Sequence, residues 1–176
     1  IMRNWVSKLA LAIGGLLISQ HLWSYDVTPG QSGAWFDPSH NGEGYFLQIL
    51  NDTQATVFWF SYDKSGNQFW MFGIGEIQGS KITFADMFSP YGGKFGPDFD
   101  PEDVEYPVWG SLEFDFSSCS EGTASYSGPA EFGSGSLNLI RLTNLWGLDC
   151  DGNHSNPAST GSGFLSTGRS EEHTSE

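Results

Sequence analysis

Residues 55–76 read ATVFWFSYDKSGNQFWMFGIGE, two aromatic-rich runs at 55–62 and 68–76 parted by Asp63, Lys64, Ser65, Gly66 and Asn67. Aromatic and β-branched residues favour strands. The intervening D-K-S-G-N is hairpin-turn chemistry, with Gly66 free to take positive φ. In the second run Trp70, Phe72 and Ile74 share one face while Phe69 and Met71 share the other. Working outward, residues 33–37 and 44–50 read as shorter strands separated by the turn-rich Pro38, Ser39, His40, Asn41 and Gly42. After a turn at 78–80, residues 81–88 alternate so as to bring Ile82, Phe84 and Phe88 together. Five strands therefore arrive within ~60 residues, as a meander gives.

Residues 89–107 are rich in Gly, Pro and acids and long for a connection in a compact domain, which makes them a candidate lid or a cap over an open end. Residues 109–116 alternate most cleanly, with Leu112, Phe114 and Phe116 facing one way and Ser111, Glu113 and Asp115 the other, as in a half-buried strand. Residues 122–127 and 135–143 complete the set, the latter with Leu137 and Leu139 opposite Ile140 and Leu142. No stretch of 25–168 sustains a helical period. The expected fold is all-β: an antiparallel meander of about eight strands, barrel-like, with a β-sandwich as the alternative. Closure would remove the edges on which an aromatic sheet aggregates.

The ends read differently. Arg3 and Lys8 precede ten apolar residues at 9–18, and 19–24 offer small residues for cleavage, the layout of a secretory signal peptide over residues 1–24. Ten residues of helix span only about 15 Å, too short for a transmembrane anchor. Residues 151–168 are Gly, Ser, Asn and Thr with little else, a linker composition. Residues 169–176, RSEEHTSE, look like the translation of a sequencing adapter, so further domains after residue 168 are an open expectation. The secreted β domain is thus placed at 25–150.

The chain carries 21 acidic against 7 basic residues, a net charge of −14. Between residues 25 and 168, four basic and 18 acidic residues leave the same −14. That balance argues against nucleic acid and anionic membrane surfaces as partners, since both need clustered cations. The 7 Trp, 6 Tyr and 14 Phe rule out a disordered acidic chain. They leave open whether Trp35, Trp59, Tyr62, Trp70 and Trp109 form a core or a stacking platform for sugar rings.

Cys119 and Cys150 are the only cysteines. In the oxidising compartment that a signal peptide implies, a bridge between them is the default. The run Asp98, Asp100, Glu102, Asp103 and Glu105 is a weak calcium candidate, because it lacks the sixth-position Gly and twelfth-position Glu of an EF-hand loop; solvated loop charge is the favoured explanation. Asp37, His40 and Glu43 lie close enough in sequence to converge as a base with its orienting group or as metal ligands. The same residues are ordinary turn formers. No phosphate loop, dinucleotide fingerprint or nucleophile motif is present, and no cofactor is implied.

Gly33-Ala34-Trp35-Phe36-Asp37-Pro38 with Gly42-Glu43-Gly44, then Phe58-Trp59-Phe60-Ser61-Tyr62-Asp63 with Gly66 and Trp70, then Phe99-Asp100-Pro101 with Val104, Gly110, Phe114 and Phe116, and finally Arg141-Leu142, resemble a β-rich module of secreted Gram-negative bacterial proteins. Its pattern runs G-x-W-[WYF]-[ND]-P, S-G-x-G, W-[FY]-[TS]-Y-D, G-x-P-x-W, F-D-P-x-x-V. Gln68 stands where Pro is common and Glu43 where Trp is common, the second in the loop best placed to touch a ligand. The opening Gly-x-Trp strand is also similar to that of avidin-like and lipocalin-like barrels. The resemblance implies a secreted, noncatalytic module and transfers no catalytic residue.

The expected function is therefore a secreted or periplasmic accessory module that binds a neutral glycan or small apolar ligand or acts at the cell surface. Its ligand would meet Trp35, Asp37, His40, Glu43, Trp59, Tyr62 and Trp70. The alternatives are a purely structural or assembly domain of a longer extracellular protein and, third, a hydrolase using Asp37, His40 and Glu43.

Overall fold

The computed structural model describes residues 25–150; the signal-peptide, linker and adapter readings at 1–24, 151–168 and 169–176 lie outside the described residues. Eight antiparallel strands close into a barrel in sequence order: β1 Gly33–Phe36, β2 Gly44–Asn51, β3 Gln54–Tyr62, β4 Gln68–Gln78, β5 Lys81–Phe88, β6 Val108–Phe116, β7 Glu121–Ser127 and β8 Ser134–Arg141. The barrel rather than the sandwich is therefore the fold. Each strand lies within two residues of its expected bounds, because turn chemistry and alternation coincide at nearly every boundary.

The inward positions form continuous rows around the barrel. Trp35, Tyr45, Trp59 and Met71 are successive register partners across β1 to β4, and Ile82, Phe114, Ala124 and Leu137 across β5 to β8. All are buried. A small barrel has room for large rings only if small residues face them. β4 supplies that room, since a Cβ on Gly75 would lie 2.6 Å from Cδ1 of Phe84. The face of β4 bearing Met71, Gly73 and Gly75 is consequently the inner one, and Trp70, Phe72 and Ile74 point outward.

One expectation about faces is corrected. Ile82 and Phe84 are buried as expected, but register shifts between Phe84 and Phe88 turn Met87 inward and leave Phe88 half-buried. An extra residue in one strand of a pair reverses the alternation beyond it.

The barrel has one sealed end. Val27 donates its N–H to the carbonyl of Gly79 (2.8 Å), Trp35 Nε1 donates to the carbonyl of Gln31 (2.8 Å), and Thr28 Oγ1 donates to the carbonyl of Cys150 (2.8 Å). The expected bridge joins Cys119 to Cys150 there. Arg141 lies 5.3 Å over the Trp35 ring, half-buried, and burial lowers its pKa. The seam between β1 and β8 is short, with register partners only at Trp35–Arg141 and Phe36–Ile140. It is reinforced by Leu142 N–H to the Ala34 carbonyl (2.8 Å) and by Asn138 N–H to Asp37 Oδ2 (2.9 Å).

Candidate functional site

The connections at residues 37–43, 63–67, 89–107 and 128–133 all lie at the other end of the barrel, and there the interior is not filled. A cleft of about 200 Å³ opens between Trp59, Met71, Trp109, Tyr126, Phe69 and Phe132, with His40, Glu43, Ser61, Tyr62 and Lys64 also lining it. Its floor is an aromatic cluster. Trp59 and Trp109 meet edge to face at 5.5 Å, Tyr126 lies 5.2 Å from Trp59, and Phe132 packs on both Trp109 (5.5 Å) and Phe69 (5.4 Å). The floor aromatics other than Phe132 sit on strands, so their positions are fixed by the barrel register.

Trp59 and Trp109 are only 4% and 6% exposed, yet the indole N–H of each is buried without a hydrogen-bond partner among the described residues. The hydroxyl of Tyr45, whose ring lies tilted with its centroid 5.1 Å from that of Trp59, is likewise without a partner among the described residues. Burial, and then the nearby Glu43 charge, push the Tyr45 phenol far above its ordinary pKa, so it stays a neutral donor. Unsatisfied buried donors cost about 1–3 kcal/mol each. Trp59 and Trp109 line the cleft but their N–H groups are covered, so an acceptor-bearing molecule seated there would reach them only with a small shift of the floor rings.

At the rim, Glu43 Oε2 accepts a hydrogen bond from Ser61 Oγ at 2.5 Å, which fixes the carboxylate against β3. Glu43, His40 and Lys64 place one acid and two nitrogen groups around the opening. Asp37 does not line the cleft. It caps the 3-10 turn Pro38–His40, accepting from Ser39 N–H (2.8 Å) and Ser39 Oγ (2.6 Å), while its other oxygen holds the β8 backbone. Hydrogen bonds from the Ser39 hydroxyl and N–H, joined by Asn138 N–H and the charge of His40, hold its pKa down at about 2. His40 Nδ1 lies 3.6 Å from Asp37 Oδ2 and 3.0 Å from Ser39 Oγ.

The seven residues expected to meet one ligand thus divide among four places. His40, Glu43, Trp59 and Tyr62 come together at the cleft. Asp37 locks the seam, Trp35 is buried against Phe116 (4.9 Å) and Gln31, and Trp70 stands on the outside of the barrel. Alternation explains the division: Trp59 and Trp70 lie on neighbouring strands but occupy opposite faces. The cleft residues Phe69, Tyr126, Phe132 and Leu137 were not singled out by the sequence, because only cross-barrel register brings 128–133 beside β4.

Two further readings are corrected by placement. No residue of 89–107 lines the cleft, so this loop is not a lid over it here; Tyr91 and Glu105 pair through their backbones (3.1 and 3.0 Å), and Tyr106 packs outside on Phe72. The acids of the calcium candidate do not gather. Asp100 caps the turn Pro101–Asp103, Asp103 pairs with Lys94 at 3.5 Å, and the described residues contain no group of three acidic, His or Cys side chains arranged to hold a metal.

No family model matches the chain, and neither a curated protein nor a solved structure does.

Proposed function

We propose that this chain is a noncatalytic binding module working outside the cytoplasm, whose open barrel end holds one small neutral ligand, best matched by a single sugar ring. The unpartnered indole N–H groups of Trp59 and Trp109 carry this reading. An oxygen-bearing ring offers them acceptors while its C–H face covers the aromatic floor, which a purely apolar ligand cannot do. At about 200 Å³ the cleft is below the ~300–1,000 Å³ typical of drug-sized ligands, which restricts the occupant to something compact. The Cys119–Cys150 bridge suits an oxidising compartment, and among the described residues no helix is long and apolar enough to cross a membrane.

The test is a titration of neutral mono- and oligosaccharides and small apolar ligands, followed by tryptophan fluorescence and calorimetry. Trp109→Phe keeps a ring in the floor and deletes the donor. One neutral hydrogen bond is worth about 0.5–1.5 kcal/mol, so affinity for an oxygen-bearing ligand should fall about 2- to 12-fold. Absence of binding across the panel, or unchanged affinity in both Trp109→Phe and Trp59→Phe, rejects the reading. The second reading, an assembly domain, draws on the aromatic residues outside the barrel.

A further inference from the structure

The outer surface of the barrel is two-sided. On β2 to β4 the outward positions are Phe46, Phe58, Phe60, Trp70, Phe72 and Ile74, with Phe46 58% and Ile74 62% exposed. Their rings meet in two groups, Phe46 with Phe60 at 6.0 Å, and Phe58, Trp70, Phe72 and Tyr106 through contacts of 6.3 Å (Phe58–Trp70), 6.1 Å (Phe58–Phe72), 5.9 Å (Trp70–Phe72) and 6.3 Å (Phe72–Tyr106). On β6 to β8 the outward positions are mostly polar, among them Glu113, Asp115, Thr123, Ser125, Ser136 and Asn138, with Val108 and Ile140 as apolar exceptions. An apolar band that served lipid would run right round the barrel. This one is dense on β2 to β4 and thins on β6 to β8 to Val108 and Ile140 near the strand ends, as a localised interaction surface does.

Three observations identify what covers it. First, a groove of about 430 Å³ at the edge of the face, bordered by Phe46, Phe58, Leu47, Gly33 and Leu145, is shaped to receive an apolar side chain as an anchor. Second, carboxylates stand beside the face: Glu76 lies two residues beyond Ile74 on β4, exposed Asp86 lies on β5 with its backbone carbonyl against Gly73, and Glu105, which accepts a hydrogen bond from the Tyr91 hydroxyl, adjoins Tyr106, while the ion pairs of the described residues use other acids. Third, residues 25–150 carry 17 acidic and four basic side chains, so a second copy would bring the same sign of charge to the contact. We infer that the β2–β4 face docks a cationic, amphipathic segment of another protein, apolar side chains on the rings and groove and Lys or Arg over the carboxylate rim. Because the barrel is closed, docking is through side chains and not by strand addition.

The probes are three synthetic peptides titrated calorimetrically into the full chain: Lys alternating with Leu, Glu alternating with Leu, and Lys alternating with Ser. The Lys/Leu peptide should bind, with affinity falling at high salt as the rim is screened. Phe58→Ser with Trp70→Ser should weaken it about 30-fold or more, as loss of an anchor does, and the Glu and Ser peptides should bind far less. Should that double variant misfold by near-ultraviolet dichroism, Glu76→Lys with Asp86→Lys serves instead, since it leaves the rings untouched and should also weaken the Lys/Leu peptide. Glu121→Gln on the polar flank and Trp109→Phe in the cleft should leave it unchanged, which separates this surface from the ligand site. No binding, equal binding of the Glu peptide, or binding indifferent to both double variants overturns the inference. So does a dimer in sedimentation that the Phe58→Ser and Trp70→Ser substitutions dissolve, because a second copy would then be the occupant.

Discussion

Gly75→Ala adds one methyl group, and its expected effect follows from where that methyl would go. It would sit 2.6 Å from Cδ1, 2.8 Å from Cε1 and 2.9 Å from Cγ of Phe84, a ring with no exposed surface. Phe84 has little freedom to retreat, since it packs edge-on against Phe114 at 5.8 Å and its Cδ1 also fills the space beside Gly73. On backbone entropy alone, Ala for Gly in a strand stabilises by roughly 0.5–1 kcal/mol. Overpacking a dense core costs about 1–3 kcal/mol. The steric term should win, giving a net loss of about 1–2 kcal/mol and a melting point lower by roughly 3–10 °C for a domain of this size. The assay is urea unfolding followed by far-ultraviolet dichroism, with the disulfide intact, on Gly75→Ala, Phe84→Leu and the double variant. Phe84→Leu opens a cavity and by itself destabilises. In the double variant the methyl group enters that cavity, so the combined loss should fall short of the sum by about 1 kcal/mol or more. A neutral or stabilising Gly75→Ala, or losses that add within about 0.5 kcal/mol, would refute the claim that inward glycines on β4 make room for Phe84.

Two predictions concern the seam and the sealed end. Opening the Cys119–Cys150 bridge, by reduction or by Cys119→Ser with Cys150→Ser, frees a loop of 31 residues and should cost about 3–4 kcal/mol in the loop-entropy account; a loss below about 1 kcal/mol in urea unfolding would show the tail is held by other means. Asp37 has a folded pKa of about 2 against an ordinary 3.8, so the stability it contributes is present above about pH 4 and is lost as pH falls toward 2. Asp37→Asn puts an amide donor opposite Asn138 N–H, and should be less stable than the parent at pH 7 with a flatter acid limb; parallel curves for the two proteins would deny Asp37 that role.

The strands were legible because two local signals agreed. Turn residues such as Asp63 to Asn67 mark where strands end, and alternation such as Leu112, Phe114, Phe116 marks which residues share a side. Which side faced inward was not legible strand by strand: Trp70-Met71-Phe72 is apolar on both faces, and only closure, which limits interior volume, sends the glycine-bearing face inside. The candidate site was half legible for the same reason. His40, Glu43, Trp59 and Tyr62 converge because 37–43 and the end of β3 meet at one rim. Trp35 on β1 and Trp70 on β4 entered the same expectation as strand aromatics, but one is core and the other is exterior. The bulge near Met87 and the arrival of Phe132 beside Phe69 depend on long-range register that no local pattern encodes.

The contrast between the two barrel ends bears on how the cleft would work. At the sealed end, segment 25–32, the Cys119–Cys150 bridge and Arg141 over Trp35 fix both termini of the barrel wall. The open end then needs little closure from its loops, and Asp37 secures the shortest strand without entering the cleft. Trp59, Met71, Trp109 and Tyr126 are therefore held by strand pairing before any ligand arrives, so binding need not order them. On the proposed reading, affinity at such a site would rest on fit and on the two indole donors. Specificity would then rest on rim residues carried by or beside connections, His40, Glu43 and Lys64, which can change without disturbing the barrel. Substitutions at the rim should accordingly alter which ligand is held while leaving stability nearly untouched, whereas substitutions in the floor should change both together.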